Sequence, residues 1–308
     1  MRTNGHAIIA FLLCILCGAC GRADEPSKDI PSDEIRAAYQ SVQDRLLQLS
    51  DGGWIVSRDQ NNVIKHQGDS LIWTGLALYA LDCEHGTASE DVLLGMMTDL
   101  NGGLWRHPSL SDKASMDGAL GLYRGISWRI EHCEGSKGKW IAAFSLHDKF
   151  SRPSGKLNPN SGAVLPREFT YVRDLLSHRL GLGGDPSNDR LRALEVQIAG
   201  WAAAVNAKHA GCFRAHLGYQ ALKTIQALGG PVSDGGKDAF CAATRGMDLP
   251  TVDHYCERSD LKVWIANFTY DQWEFRHQRC GSWETPDGKG YKTPALDLAE
   301  ALKEAYQL

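Results

Sequence analysis

The 308-residue sequence has no block of Lys or Arg: 33 basic residues are scattered among 37 acidic ones, for a formal net charge of −4. Without a basic patch, nucleic acid is not expected as a partner. There is no GxSxG elbow, HExxH helix, P-loop, or GxGxxG following a strand. This removes the usual signatures of serine hydrolases, zinc peptidases and nucleotide enzymes, and no cofactor is expected. Low-complexity tracts and an obvious interdomain linker are also missing. Runs of period two are scarce, with Gly53 to Ser57 and Gly281 to Tyr291 the only places for short strands. No apolar run suits a membrane span: the longest, Ala7 to Cys17, is about a dozen residues where a spanning helix needs roughly 20.

That run belongs to a leader. Arg2 precedes it, small Gly18 and Ala19 follow, and a polar acidic stretch begins at Asp24. This is the order of a secretory signal that is removed from the mature chain. Gly18-Ala19-Cys20 resembles the end of a bacterial lipobox, which makes Cys20 the expected lipidated N-terminus, although Cys17 stands where that pattern usually has Leu. Cleavage after Ala23 is the competing reading. The expected organisation is a signal peptide over 1–20, a flexible tether over 21–32 and a single domain over 33–308. The protein is then exported to the bacterial periplasm or outer membrane and held to the membrane by its lipid, or secreted if Cys20 is not lipidated.

Six cysteines remain outside the leader: Cys83, Cys133, Cys212, Cys241, Cys256 and Cys280. An even set in an exported chain points to disulfides. The six contain no CxxC and the chain no HxxxH, so no metal site is expected. Cys241 and Cys256, separated by a polar, Pro-containing loop, are the natural pair for a local bridge; the other pairings stay open.

The remaining signals are helical. From Ser32, with Asp33 and Glu34 in the first turn, Ile35, Tyr39, Val42, Leu46 and Leu49 recur at helical spacing until Asp51-Gly52-Gly53 stops them. Similar segments are expected at 70–82, 88–99, 117–132, 138–148, 168–180, 188–208, 212–228, 236–245, 259–270 and 294–306, rich in good helix formers. The fold class is all-α, with few short strands. Ser151 to Pro166 is the longest irregular stretch, and Gly181-Leu182-Gly183-Gly184 reads as a helix stop.

Two helices share a form. Gly68-Asp69-Ser70 opens LIWTGLALYALDC, ending at Cys83; Ser115-Met116-Asp117 opens GALGLYRGISWRIEHC, ending at Cys133. A third, CFRAHLGYQALKTIQALGG, has the same small-and-apolar texture. This weak repeat predicts helical hairpins packed side by side, some helices inside and others outside. Across roughly residues 33–308 the chain resembles the (α/α) toroids of several glycoside hydrolase and polysaccharide lyase families. The resemblance is one of architecture and matches no single family's motif. It implies a site where loops enter the inner helices.

The loops before the two repeated helices run from Asp51 to Asp69 and from Asn101 to Asp117. Each has a glycine pair, an aromatic, and charged residues before an acid at the helix start. If the helices are parallel neighbours, Asp59, His66, Asp69, Asp117, His107, Trp54, Trp105 and Arg106 gather at one end. Paired carboxylates divide proton donation from water activation or nucleophilic attack on a glycoside. Trp faces stack on sugar rings, and Arg binds a uronate carboxylate. A lyase would use His or Tyr as the base. The competing readings are plain: Asp at a helix start caps free N–H groups, and Trp residues fill cores. Arg214 and His216, in the first turns of the third helix, are expected to complete the site. The aromatic loop Tyr270 to Tyr291 and Glu168 are lesser candidates. The expectation is an envelope protein that binds a polysaccharide and cleaves it with Asp69, Asp117, Asp59 or His107. The alternative is a non-catalytic lipoprotein that binds glycan or protein.

Overall fold

The periodic residues Ile35, Val42, Leu46 and Leu49 are buried along and just beyond the first helix, α1 (Ser32–Gln48). In the computed structural model, the residues described are 32–58, 61–110, 112–166, 169–184, 186–203, 211–245, 250–258, 261–268 and 295–306. The leader, the tether, Asp59, Glu168, Cys280, the segment 281–291 and the side chains of Cys212 and Arg214 lie outside this description.

After α1 come two small antiparallel pairs, β1 (Ser50–Asp51) with β2 (Trp54–Ile55) and β3 (Ser57–Arg58) with β4 (Ile64–His66). The turn between β1 and β2 requires Gly52 and Gly53, with φ of 57° and 94°. The rest is helical: α2 (Ser70–Ala80), α3 (Thr87–Asp99), α4 (Met116–His132), α5 (Ser136–Ser151), α6 (Thr170–Arg179), α7 (Asn188–Ala203), α8 (Gly211–Ala227), α9 (Asp234–Ala243), α10 (Pro250–Tyr255), α11 (Leu261–Ala266) and α12 (Ala295–Tyr306). The fold is all-α. Among the described residues no helix is long and apolar enough to cross a membrane.

Burial separates inner from outer helices. Every residue of α2 is buried, as are nearly all of α4 from Asp117 to Ile130 and all of α12 from Ala295 to Lys303. A helix buried all round belongs to the middle of a core. Around this set, α1 packs on α12, α3 on α5, and α7 on both α8 and α9. Glu90 of α3 ties the outer layer to α4 and α5: it accepts from Arg129 Nη2 and Trp140 Nε1, both at 2.7 Å. Each oxygen of this buried carboxylate is thus satisfied.

The close contact of α2 with α4 follows from their small residues. A Cβ on Gly75 would stand 2.5 Å from the Leu122 backbone nitrogen, and one on Gly125 would press on the Gly75 carbonyl. The contacts advance together along both helices, from Leu71 against Gly118, through Ile72 against Gly121, to Leu78 against Gly125. The two helices are therefore parallel, and the Cys83–Cys133 disulfide joins their C-terminal ends. A second parallel pair is α8 with α12, ordered by His216 with Asp297, Gln220 with Glu300 and Lys223 with Glu304. The C-terminal ends of all four helices line one cavity of about 580 Å³. Their N-terminal turns accordingly lie at the opposite end.

The Cys241–Cys256 bridge forms across 15 residues, as the spacing led one to expect. The segment between is not all loop: it contains α10, which starts at Pro250, where a missing N–H costs nothing. Other expected helices shift in length. The segment at 259–270 gives α11 over six residues, and Asn267 lies beyond its end, its Nδ2 donating to Val263 O at 2.9 Å. The segment at 138–148 extends to Ser136–Ser151.

Candidate functional site

The two glycine-rich loops meet at the N-terminal ends of α2 and α4. Leu71 N donates to Arg106 O at 2.9 Å, so the first turn of α2 takes a carbonyl from the second loop. Arg106 Nη1 stands 3.5 Å from Asp69 Oδ1, and Ser109 Oγ lies 3.0 Å from Gln67 Oε1. The rings of Trp54 and His107 meet edge to face with centroids 5.8 Å apart. Four cross-loop contacts thus hold Asp69, Arg106 and His107 at one rim.

Simple capping does not account for the two acids. Asp69 occupies the N-cap position of α2 but makes no side-chain cap bond. On α4 the cap is Ser115, whose Oγ accepts from Gly118 N at 3.4 Å, and Asp117 follows in the first turn, buried at 5% exposure. Both carboxylates sit where the helix dipole favours negative charge.

The surroundings of His107 favour its neutral form. Burial lowers its pKa, against a weaker upward pull from Asp51. His107 Nδ1 is engaged by Ser109, lying 2.8 Å from its Oγ and 3.2 Å from its backbone nitrogen. Trp54 is a core residue at 6% exposure and offers no open face to a sugar. Position explains this: β2 lies over α2, and Ile55 N donates to Thr74 Oγ1 at 3.0 Å. Trp105 is half-buried, its backbone N–H donating to Met96 Sδ at 3.4 Å.

The parallel register brings further groups to the same end. His216 lies in the second turn of α8, almost wholly buried, and its Nδ1 stands 3.6 Å from Asp297 Oδ1 in the first turn of α12. Three residues on, Glu300 is fully buried; Gln220 Nε2 donates to its Oε2 at 2.7 Å, and its Oε1 has no partner among the described residues. Burial pushes the Glu300 pKa up to about 8, with Arg124 opposing and Asp297 reinforcing the rise. Glu300 is therefore a protonated carboxylic acid at neutral pH, close to a second carboxyl group. Asp297 and Glu300 were not picked out from sequence. Their signal is the placement of acids at 297, 300 and 304 on a helix whose only other charged residue is Lys303, a spacing that puts the acids on one face.

Among the described residues no group of three His, Cys, Asp or Glu side chains is arranged to hold a metal ion. Arg106 and Trp105 are half-buried at this rim, whereas Asp117 is buried beside it and Asp297 and Glu300 are buried in the helix packing. Comparison with protein-family models, with curated proteins and with solved structures finds no match to this chain.

Proposed function

We propose that the protein is an exported envelope protein that binds a polysaccharide at the N-terminal rim of α2, α4, α8 and α12, and that it cleaves this glycan with carboxyl groups of the inner helices. The observation that carries the reading is the pairing on α12: Glu300 protonated, with its pKa at about 8, one turn from Asp297 beside His216. Glycoside hydrolysis needs a carboxyl that holds its proton at neutral pH, and the buried Glu300 suits that role. Asp117, in the first turn of α4 at the same end, is the second candidate acid or base. Trp105 and Arg106 supply the binding surface, Arg106 suiting a uronate carboxylate once it leaves Asp69. The described disulfides, Cys83–Cys133 and Cys241–Cys256, fit an oxidising compartment. Within the proposal, Cys20 carries the lipid that keeps the protein at the membrane.

A second reading, binding without turnover, is favoured by one observation: two of the candidate groups are already engaged. Asp69 is paired with Arg106, and His107 Nδ1 is hydrogen-bonded to Ser109. The two readings separate in one experiment on the mature chain. Asp117→Asn and Asp297→Asn should each abolish release of reducing or unsaturated ends from a polysaccharide the wild type degrades, with circular dichroism unchanged. Full turnover in both variants overturns the catalytic reading. Binding by the wild type with no product from any polysaccharide supports the second.

A further inference from the structure

The cavity of about 580 Å³ lies at the other end of the inner helices, away from the glycan rim, and its charge balance is uneven. Arg124, Lys223 and Lys303 face it, together with Glu304. This one carboxylate accepts from Tyr79 Oη at 2.8 Å and Arg124 Nη2 at 2.5 Å, and it also pairs with Lys223. The other acid on the wall, Glu131, is taken by Arg179 at 2.7 Å. Lys303 caps α2, its Nζ donating to Tyr79 O at 2.7 Å and Leu81 O at 3.3 Å. Burial lowers its pKa to about 7, so it carries a partial charge at neutral pH.

Two donors are left over. Arg124 is 3% exposed, and its Nε has no acceptor among the described residues. Lys223, at the mouth with a side-chain exposure of 21%, has three N–H groups and shares one carboxylate with Arg124. The aromatic wall does not act as a sugar platform. Trp128 has the His132 ring stacked on it at 5.0 Å and the Lys303 ammonium 3.5 Å from its ring centre. What the cavity offers a ligand is therefore positive charge and a buried guanidinium edge.

We propose that this cavity binds the oxyanion group, carboxylate or phosphate, of a small ligand, held between Arg124 and Lys223. Arg124, stacked on the Tyr79 ring with Nη2 given to Glu304, has its Nε–H left to donate to such a group, and Lys223 gathers the ligand at the mouth as a mobile point charge. Glu304 keeps the cations in place while the cavity is empty.

The test is titration calorimetry on the full mature chain with inorganic phosphate, glucuronate and, as an uncharged counterpart, glucose. One or both anions should bind and glucose should not. Phosphate alone identifies a phosphate ester as the ligand class, and glucuronate alone an acidic sugar or other carboxylate. Lys223→Met should weaken binding roughly tenfold, the scale of one lost charge-assisted contact, and Lys223→Arg should restore most of it. Raising the salt should weaken the wild-type interaction. The proposal is overturned if neither anion binds up to about 10 mM, weaker than any useful site. It is also overturned if glucose binds as well as glucuronate, or if Lys223→Met, shown folded by circular dichroism, binds undiminished.

Discussion

Gly75 of α2 and Leu122 of α4 approach so closely that a single methyl group on Gly75 would stand 2.5 Å from the Leu122 backbone nitrogen. This contact makes α2 and α4 parallel neighbours and brings their preceding loops to one end. Gly75→Ala or Gly125→Ala should destabilise the protein by about 1–3 kcal/mol or more, the cost of forcing volume into a packed core. Gly138→Ala is the control: it lies in α5 with nothing near its missing Cβ, and should stabilise by about 0.5–1 kcal/mol. Thermal melts of the three variants measure this; equal effects at all three positions would refute the close-packing account.

The two described disulfides should contribute unequally. Cys83–Cys133 closes a separation of 50 residues and Cys241–Cys256 one of 15. On the chain-entropy model these correspond to about 4 and about 3 kcal/mol respectively. Denaturant titration of Cys83→Ser/Cys133→Ser and Cys241→Ser/Cys256→Ser double variants should show the larger loss for the first pair.

Two buried groups on α12 make stability depend on pH in opposite directions. Glu300, raised from 4.5 to about 8, binds its proton more tightly folded than unfolded. Its contribution is complete below pH 4.5 and is lost as pH rises to about 8. Lys303, lowered from 10.5 to about 7, binds its proton less tightly when folded, so its contribution grows as pH rises from about 7 to 10.5. Glu300→Gln keeps a neutral side chain of the same shape and removes the first effect. Its stability relative to wild type should therefore climb with pH through the lower window and level off above about 8. A flat difference from pH 4.5 to 8 would show that Glu300 is ionised in the folded protein.

Much of this was legible in the sequence, for identifiable reasons. The helical period of Ile35, Val42, Leu46 and Leu49 marks α1, and the glycines of the repeated segments mark the α2–α4 contact. The shared loop pattern implied that the two loops share one end; the contacts of Asp69 with Arg106 and of Trp54 with His107 came only from the structure. The choice between a core and a surface Trp was not legible, because Trp54 and Trp105 each come just after a glycine pair. Tertiary position decides between them: β2 lies over α2, while Trp105 sits at the edge of the second loop. Asp297 and Glu300 were hidden by the Ala- and Leu-rich pattern of α12, in which acids read as ordinary first-turn or solvent-facing residues. Only the parallel register with α8 shows that they face His216 and Gln220.

The central claim is that the N-terminal rim is a glycan site, and affinity electrophoresis tests it most directly. The mature protein is run through gels containing envelope or plant-type polysaccharides, beside its Trp105→Ala variant. At least one polysaccharide should retard the wild type, and Trp105→Ala should lose most of that retardation while melting at nearly the same temperature. If no polysaccharide retards the wild type, or if the folded variant is retarded equally, the rim does not bind glycan.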